Sequence, residues 1–363
     1  MRGHAEIAGA GIAGLTMAAA LGQQGWSVCV HERSTELREL GAGIFIWPNG
    51  VEALSSVGAL EAAVAGGSPI RRWSINDERQ RQLQGGPISG AYDVARPELH
   101  RSLADAAQRA GVEIKLGSTV ASATTAGEIV LSTGERRRAD LVVAADGIGS
   151  RVRDAVGLVA SKHDLRYGAQ RLFVPRAPDD PEDDNPEFWS GSWRIGHAPC
   201  GPDRLYVYMF CPPSDAAGRA EPLDHAAWLA AFPHAASVIR RLPDQTEWRE
   251  IIELRCERWS AGRVVLLGDA AHAMAPNWGQ GANSTMRSAI VLAETLGSGH
   301  DVPQALASWE ATHRVVVDRI QRYSRHYSNA MTRWPPQLRL LRSATVWAFG
   351  HSRTLQRRVT GLA

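Results

Sequence analysis

A glycine-rich turn between two short apolar strands fixes how this chain begins to fold. Glu6-Ile7-Ala8 runs directly into Gly9-Ala10-Gly11-Ile12-Ala13-Gly14. An alanine-rich helix is expected over Leu15 to Gln24, and Ser27 to His31 reads as a second strand ending at Glu32. This is the βαβ unit that binds dinucleotides. Gly9 permits the tight turn, Gly11 lets the backbone approach a pyrophosphate, and Gly14 lets the helix pack against the strand. Glu32 is placed to accept hydrogen bonds from a ribose diol, which favours a free 2′-hydroxyl over a 2′-phosphate. The glycine loop alone is weak evidence. The two strands, the helix and the acid at the right distance make it a dinucleotide site.

Two further strands end in pairs of glycine and aspartate. Asp140 to Ala145 reads as a buried parallel strand ending at Asp146-Gly147, and Val264 to Leu267 as another ending at Gly268-Asp269. Pro276 follows, then Gly279-x-Gly281 opening a long helix that runs to Gly297. Open α/β sheets bind ligands beyond the carboxyl ends of their strands. A helix start presents free N–H groups to an electron-rich partner. Three motifs at three strand ends thus converge on one large, polar, partly anionic cofactor.

The intervening chain changes character. A helix starts at Asn49-Gly50, and Gly66 to Gly90 reads as strands of a second domain. A helix with proline in its first turn begins at Ala95-Arg96-Pro97 and ends at Arg109. Val112 to Leu116 and Glu128 to Ser132 are further strands. Pro178 to Pro186, rich in aspartate and proline, is expected to be a surface loop. In the strand Arg204 to Phe210, alternation puts Arg204, Tyr206, Tyr208 and Phe210 on one face. Trp228 to Leu242 reads as a helix carrying Pro233, Trp248 to Leu254 as a strand, and Val302 to Met331 as mostly helix. The basic segment Arg333 to Arg358, with Trp334, Trp347 and Phe349, is expected to be a helix packed over the cofactor domain. The fold expected is α/β: a Rossmann-like domain (1–71, 96–160 and 255–310), an inserted, mostly antiparallel substrate domain (72–95 and 161–254), and a C-terminal helical segment (311–363).

Composition narrows the function classes. A net charge of +2 over 363 residues, with basic and acidic groups interleaved, points to neither a nucleic acid nor a membrane partner. Cys29, Cys200, Cys211 and Cys256 are scattered, with no Cys-x-x-Cys and no histidine at metal spacing. A reducing, cytoplasmic setting without a structural metal is therefore expected. No second glycine fingerprint exists, so any nicotinamide nucleotide is expected to bind transiently.

In order and spacing, Gly9-x-Gly-x-x-Gly14, Asp146-Gly147 and Gly268-Asp269 resemble the single-component FAD-dependent aromatic hydroxylases, across nearly the whole chain. The resemblance implies that Gly9, Gly11, Gly14 and Glu32 hold the ADP half of FAD, and that Ala13, Arg33, Gly43, Ile44 and Val120 also bind the cofactor. It places Arg38 and Arg96 along the adenosine, pyrophosphate or ribityl portions, with Asp146 and Gly147 on the pyrophosphate side. Gly268 and Asp269 then serve the ribityl or ribose hydroxyls. The loop of Pro276, Gly279, Gly281, Ala282 and Asn283 lies along the isoalloxazine. His272, in the same stretch, is expected to be structural.

Arg194-Ile-x-x-x-Pro199-Cys200 with Leu205-Tyr206, and Leu40-Gly-Ala-Gly-Ile44 with Trp47 and Asn49-Gly50, resemble the branch of pyridine-ring oxygenases. That likeness implies a substrate contacted by Arg194 and Tyr206. A guanidinium can pair with a carboxylate, and a phenol can hydrogen-bond a ring hydroxyl. The competing reading is an Arg194 paired with an internal acid and a Tyr206 that is core. One tyrosine of that branch falls at Ile70 here. Tyr206, Tyr208 and His197 are candidates for polarising a substrate, and Phe45, Trp47 and Trp278 for walling a flat ring.

The implied activity is hydroxylation of a hydroxylated aromatic acid by O2 through a flavin C4a-hydroperoxide, with NADH or NADPH as reductant, by a monomer or homodimer. Ring opening could follow. A flavin oxidase or dehydrogenase of the same fold, or a non-catalytic flavoprotein that binds a small aromatic, are the alternatives.

Overall fold

The first strand, His4–Ala8, is an inner strand of a six-stranded sheet. The computed structural model describes residues 2–37, 41–299 and 301–352, apart from the side chains of Pro336 and Phe349. The sheet runs Ser260–Ala261, Val264–Leu266, Leu141–Ala144, His4–Ala8, Ser27–His31 and Glu113–Lys115. All neighbours are parallel except Ser260–Ala261, which turns back along Val264–Leu266. Leu141, Val142, Val143 and Ala144 are fully buried, as expected of a parallel strand covered on both faces. The helix Ile12–Gln23 lies between the helices Arg96–Arg109 and Gln280–Leu296. Its close approach depends on Gly14, where a Cβ would sit 1.9 Å from the Gly9 carbonyl oxygen. Gly9 itself has φ near +98°, which the turn requires of a residue without a side chain.

The second sheet has eight strands, in the order Arg249–Cys256, Ala160–Pro175, Arg204–Cys211, Trp193–Pro199, Asp184–Ser190, Ser68–Asn76, Gln82–Ala95 and Gly43–Ile46. Only Asp184–Ser190 and Ser68–Asn76 pair in parallel. The fold is therefore α/β, with a Rossmann-like parallel sheet joined to a mostly antiparallel one and C-terminal helices, as expected. The larger sheet already begins at Gly43, inside the segment 1–71. One of its faces is apolar: Leu205, Val207 and Met209 pack with Trp228, Phe232 and Ile239. The alternate residues Tyr206, Tyr208 and Phe210 point the other way, where the two sheets meet.

Three elements depart from expectation. The acidic run 178–186 is not wholly a loop: Asp184 to Pro186 open a strand paired with Arg72 to Ser74, and Asp180 is buried against Arg241. The helix expected over 228–242 is broken into His225–Ala231, the turn Pro233–Ala235 and Ala236–Ile239. Pro233 has no N–H to donate, and its ring obstructs the preceding turn. The C-terminal helix Arg339–Gly350 packs on the substrate-side sheet rather than on the cofactor domain. Arg342 donates to Glu78 and to the Gly191 carbonyl, and Gln84 donates to the Val346 carbonyl. Residues 353–363 lie outside the described residues. Among the described residues, no helix is long and apolar enough to cross a membrane.

Candidate active site

The three strand-end motifs open into one cavity of about 1410 Å³ between the two sheets. A pocket for one small ligand is usually about 300–1,000 Å³, so this one has room for a dinucleotide and a further molecule. It has two arms.

The first arm is walled by the glycine turn, Glu32, Arg33, Val120, Asp146-Gly147 and Gly268-Asp269. Glu32 accepts hydrogen bonds from the Ala10 and Ser34 backbone N–H groups, at 2.9 Å each, which fixes its carboxylate at the strand end. Behind it, His31 bridges Glu6 and Ser118, at 2.7 Å on each side. Burial alone would raise the Glu6 carboxyl, but hydrogen bonds from His31, His4 and Arg137 outweigh it and hold the group down at about 2. Glu6, Cys29 and His31 lie within reach of a common metal ion. Their polar atoms are taken up by one another, by Ser118 and by Arg137.

A cofactor fits this arm on the chain's own geometry. A Cβ at Gly11 would meet nothing within 4 Å, and one at Gly281 would only graze Met274, so the backbone is open to close approach at both positions. Asp146 accepts from the Arg151 and Val152 N–H groups through one oxygen. Its other oxygen is buried without a partner among the described residues, an acceptor suited to a sugar or ribityl hydroxyl. Gly279, in the left-handed conformation, starts the helix Gln280–Leu296, whose Gly281 and Ala282 face the cavity. Their N–H groups belong to the first turn, which has no intrahelical partners.

The second arm is a slot with aromatic walls. Tyr206, Tyr208 and Phe210 of one strand form one side; Phe45, Trp47, Trp73 and Trp278 form the other. The indoles follow one another edge to face, with Trp73 6.0 Å from both Trp47 and Trp278. Two glycines make the tyrosines possible. A Cβ at Gly43 would meet the Tyr206 ring at 2.4 Å, and one at Gly196 would meet the Tyr208 ring at 2.1 Å. Burial pushes the Tyr206 phenol up to about 12, with the Arg171 charge opposing the rise. The Tyr206 hydroxyl has no hydrogen-bond partner among the described residues, whereas Tyr208 donates to Asn185 at 3.3 Å.

Arg194 lines the slot but is committed elsewhere. It is 1% exposed. It pairs with Glu187 at 3.4 Å, donates to Asn277 at 2.8 Å, and lies 3.9 Å over the Phe210 ring. Burial disfavours its charge, but the Glu187 carboxylate more than compensates and holds the guanidinium above its ordinary value. Glu187 also accepts from the Trp189 indole and the Tyr327 hydroxyl. Asn277 accepts from Tyr167 and donates to the Ser324 carbonyl and to Ser328. Sequence reading passed over Glu187, Asn277 and Tyr327. Glu187 and Trp189 do alternate as strand residues should, and Asn277 sits within the motif stretch, so both carried a signal.

The remaining candidates fall as follows. Ile44 and Arg96 line the cavity with the first arm. Gly14 and Asn283 do not. Gly14 packs the helix, and Asn283 bonds the Trp47 N–H and the Phe45 and Gly279 carbonyls, so it shapes the wall from behind. His197 lies off the cavity, buried near Phe188, and burial brings it down to about 4, which leaves it neutral. His272 packs on Trp259, with its basicity likewise lowered by burial. Ile70 is buried with Ala91 and Ala198. Arg38 lies outside the described residues.

A family model described as an FAD binding domain matches residues 4–324. The chain is an FAD-dependent aromatic hydroxylase. A 2-heptyl-3-hydroxy-4(1H)-quinolone synthase of Mycobacteroides abscessus is 37% identical, over 97% of this chain and 96% of its own. Among solved structures, the tetrameric form of 2-methyl-3-hydroxypyridine-5-carboxylic acid oxygenase has a TM-score of 0.84 at 34% identity, covering 92% of this chain and 95% of the other. Klebsiella pneumoniae HpxO complexed with FAD and uric acid has a TM-score of 0.85 at 26% identity, covering 98% and 95%. The likeness to the pyridine-ring oxygenase expected from Arg194 to Tyr206 is confirmed at the level of the whole fold.

Proposed function

We propose that this hydroxylase inserts one oxygen atom of O2 into a flat aromatic ring bearing a hydroxyl or keto group, with NADH or NADPH as reductant. The observation that carries this reading is the continuity of the cavity: a dinucleotide arm opens directly into an aromatic slot only a ring can fill well. Glu32, Asp146, Asp269 and the glycine turn would hold FAD, and the N–H groups of Gly281 and Ala282 would face its ring, where the helix dipole favours negative charge. Bound FAD supplies the redox chemistry, taking electrons from the nicotinamide and activating O2.

The chain's own part is orientation and the exclusion of water. Phe45, Trp47 and Trp278 face Tyr206, Tyr208 and Phe210, so a planar ring is gripped between apolar surfaces and kept from solvent. Tyr206 keeps its proton well above neutral pH and therefore acts as a hydrogen-bond donor to a ring oxygen rather than as a base. The compounds in the relatives' names, a hydroxyquinolone that one of them makes, a hydroxypyridine carboxylate and uric acid, all carry such an oxygen on a flat ring.

The test is a panel of hydroxylated one- and two-ring aromatics scored for stimulated NAD(P)H oxidation. Tyr206→Phe should bind FAD normally and turn over roughly tenfold more slowly, the worth of about one hydrogen bond. Bleaching of the flavin by the aromatic alone, without NAD(P)H and without O2, would instead identify an oxidase or dehydrogenase.

A further inference from the structure

We propose that Glu187 sets substrate charge: by neutralising Arg194 inside the slot, it makes this hydroxylase select an uncharged ring over an aromatic carboxylate. The inference rests on the proposed aromatic substrate and concerns which ring the same slot admits.

Glu187 and Arg194 sit on neighbouring antiparallel strands, with Glu187 opposite Gly196 and Trp189 opposite Arg194. Both charges therefore lie on one face, diagonal to each other. Both line the cavity, and both are buried. The guanidinium is closely packed: Glu187 and Asn277 take hydrogen bonds, Phe210 stacks at 3.9 Å, and the Tyr327 and Tyr167 rings lie 5.1 and 5.4 Å away. A substrate carboxylate could reach Arg194 only by displacing Glu187 or by standing beside it, two anions in a desolvated space. Like charges so placed repel strongly, because little solvent screens them. The other described cations on the cavity wall are all more exposed than Arg194. Arg33, Arg96 and Arg151 belong to the cofactor arm. Arg171 stands beside Tyr208 across the sheet and its charge reaches Tyr206, but its side chain is exposed, as are those of Arg249, Glu247 and Glu250, so water screens it. At its deep end the slot presents a balanced ion pair, an amide, phenols and indoles, which suits a neutral ring with a hydrogen-bonding oxygen.

The experiment measures dissociation constants from the perturbation of the bound flavin's absorbance, using 4(1H)-quinolone as the neutral probe and 4-hydroxybenzoate as the anionic one. Wild type should prefer the neutral ring by about tenfold or more. Glu187→Gln should gain carboxylate affinity by about tenfold, since Arg194 then has no competing anion. The double variant Glu187→Gln with Arg194→Met removes both charges, and so leaves no bare buried charge to unfold the protein. Its carboxylate affinity should stay at the weak wild-type level. The inference is overturned by a wild-type preference for the carboxylate, by a neutral-ring preference unchanged in Glu187→Gln, or by a tenfold loss of carboxylate binding in the double variant. If neither probe perturbs the wild-type flavin, the aromatic substrate reading fails along with it.

Discussion

Asp93 shows what a single buried carboxyl costs this molecule. It is fully buried, and neither carboxyl oxygen has a hydrogen-bond partner among the described residues. It pairs across the sheet with Phe45 on one side and Ser68 on the other, on a strand whose Ala95 packs with Cys200 and Tyr206. Burial pushes its carboxyl from 3.8 up to about 8, so the folded protein keeps a proton that the unfolded chain gives up. Below pH ~4 both states are protonated and stability is undiminished. Between pH ~4 and ~8 the unfolded state alone ionises, and stability falls by about 1.4 kcal/mol per pH unit. Asp93→Asn removes that dependence. Thermal melts should show the variant gaining on wild type as pH rises from 5 to 8; a difference constant with pH would mean that Asp93 is stabilised by something other than protonation. Nothing in the sequence around Asp93 marks it, because alternation alone does not tell which face of Gln82–Ala95 is fully closed.

At the scale of elements, the turn Pro276–Trp278 joins the parts of the site. Asn277 bonds Tyr167 and Arg194 of the larger sheet and Ser324 and Ser328 of the helix Val302–Thr332. The turn leads directly into Gly279 and the helix whose first N–H groups face the cofactor arm. Asn277→Ala would strip partners from the buried Arg194 and Tyr167, at about 1–3 kcal/mol for each group left unsatisfied. Chemical denaturation should show a loss of that size, and FAD should dissociate more readily. Lower stability with unchanged FAD affinity would show that the turn does not transmit to the cofactor arm. The motifs around this turn were legible because they are local: a strand end, a glycine pair and a helix start lie within a few residues of one another. The opening of the strand Asp184–Ser190 was not, since its first partners, Arg72 to Ser74, are remote in sequence and pair in parallel. Arg194 was singled out by the motif it stands in. Its commitment to Glu187 became visible only once the register of two strands was known, and that register turns a substrate-binding expectation into a question of charge selection. The break at Pro233 was legible in principle, since a proline inside a helix removes a donor.

On the scale of the whole molecule, the parallel sheet carries the cofactor arm and the larger sheet carries the slot. The C-terminal helices close the larger sheet: Tyr327 bonds Glu187, and Arg342 bonds Glu78. The cavity that results is continuous from Glu32 to Tyr206, which is what oxygen transfer from a flavin site to a ring requires. The most direct test supplies isotope-labelled O2 with NAD(P)H and an aromatic that stimulates turnover, and follows the label and the stoichiometry together. The account predicts one labelled oxygen atom in the product ring, with one NAD(P)H and one O2 consumed per product. Product without label, or NAD(P)H oxidation that yields only hydrogen peroxide with every hydroxylated aromatic tried, would contradict it.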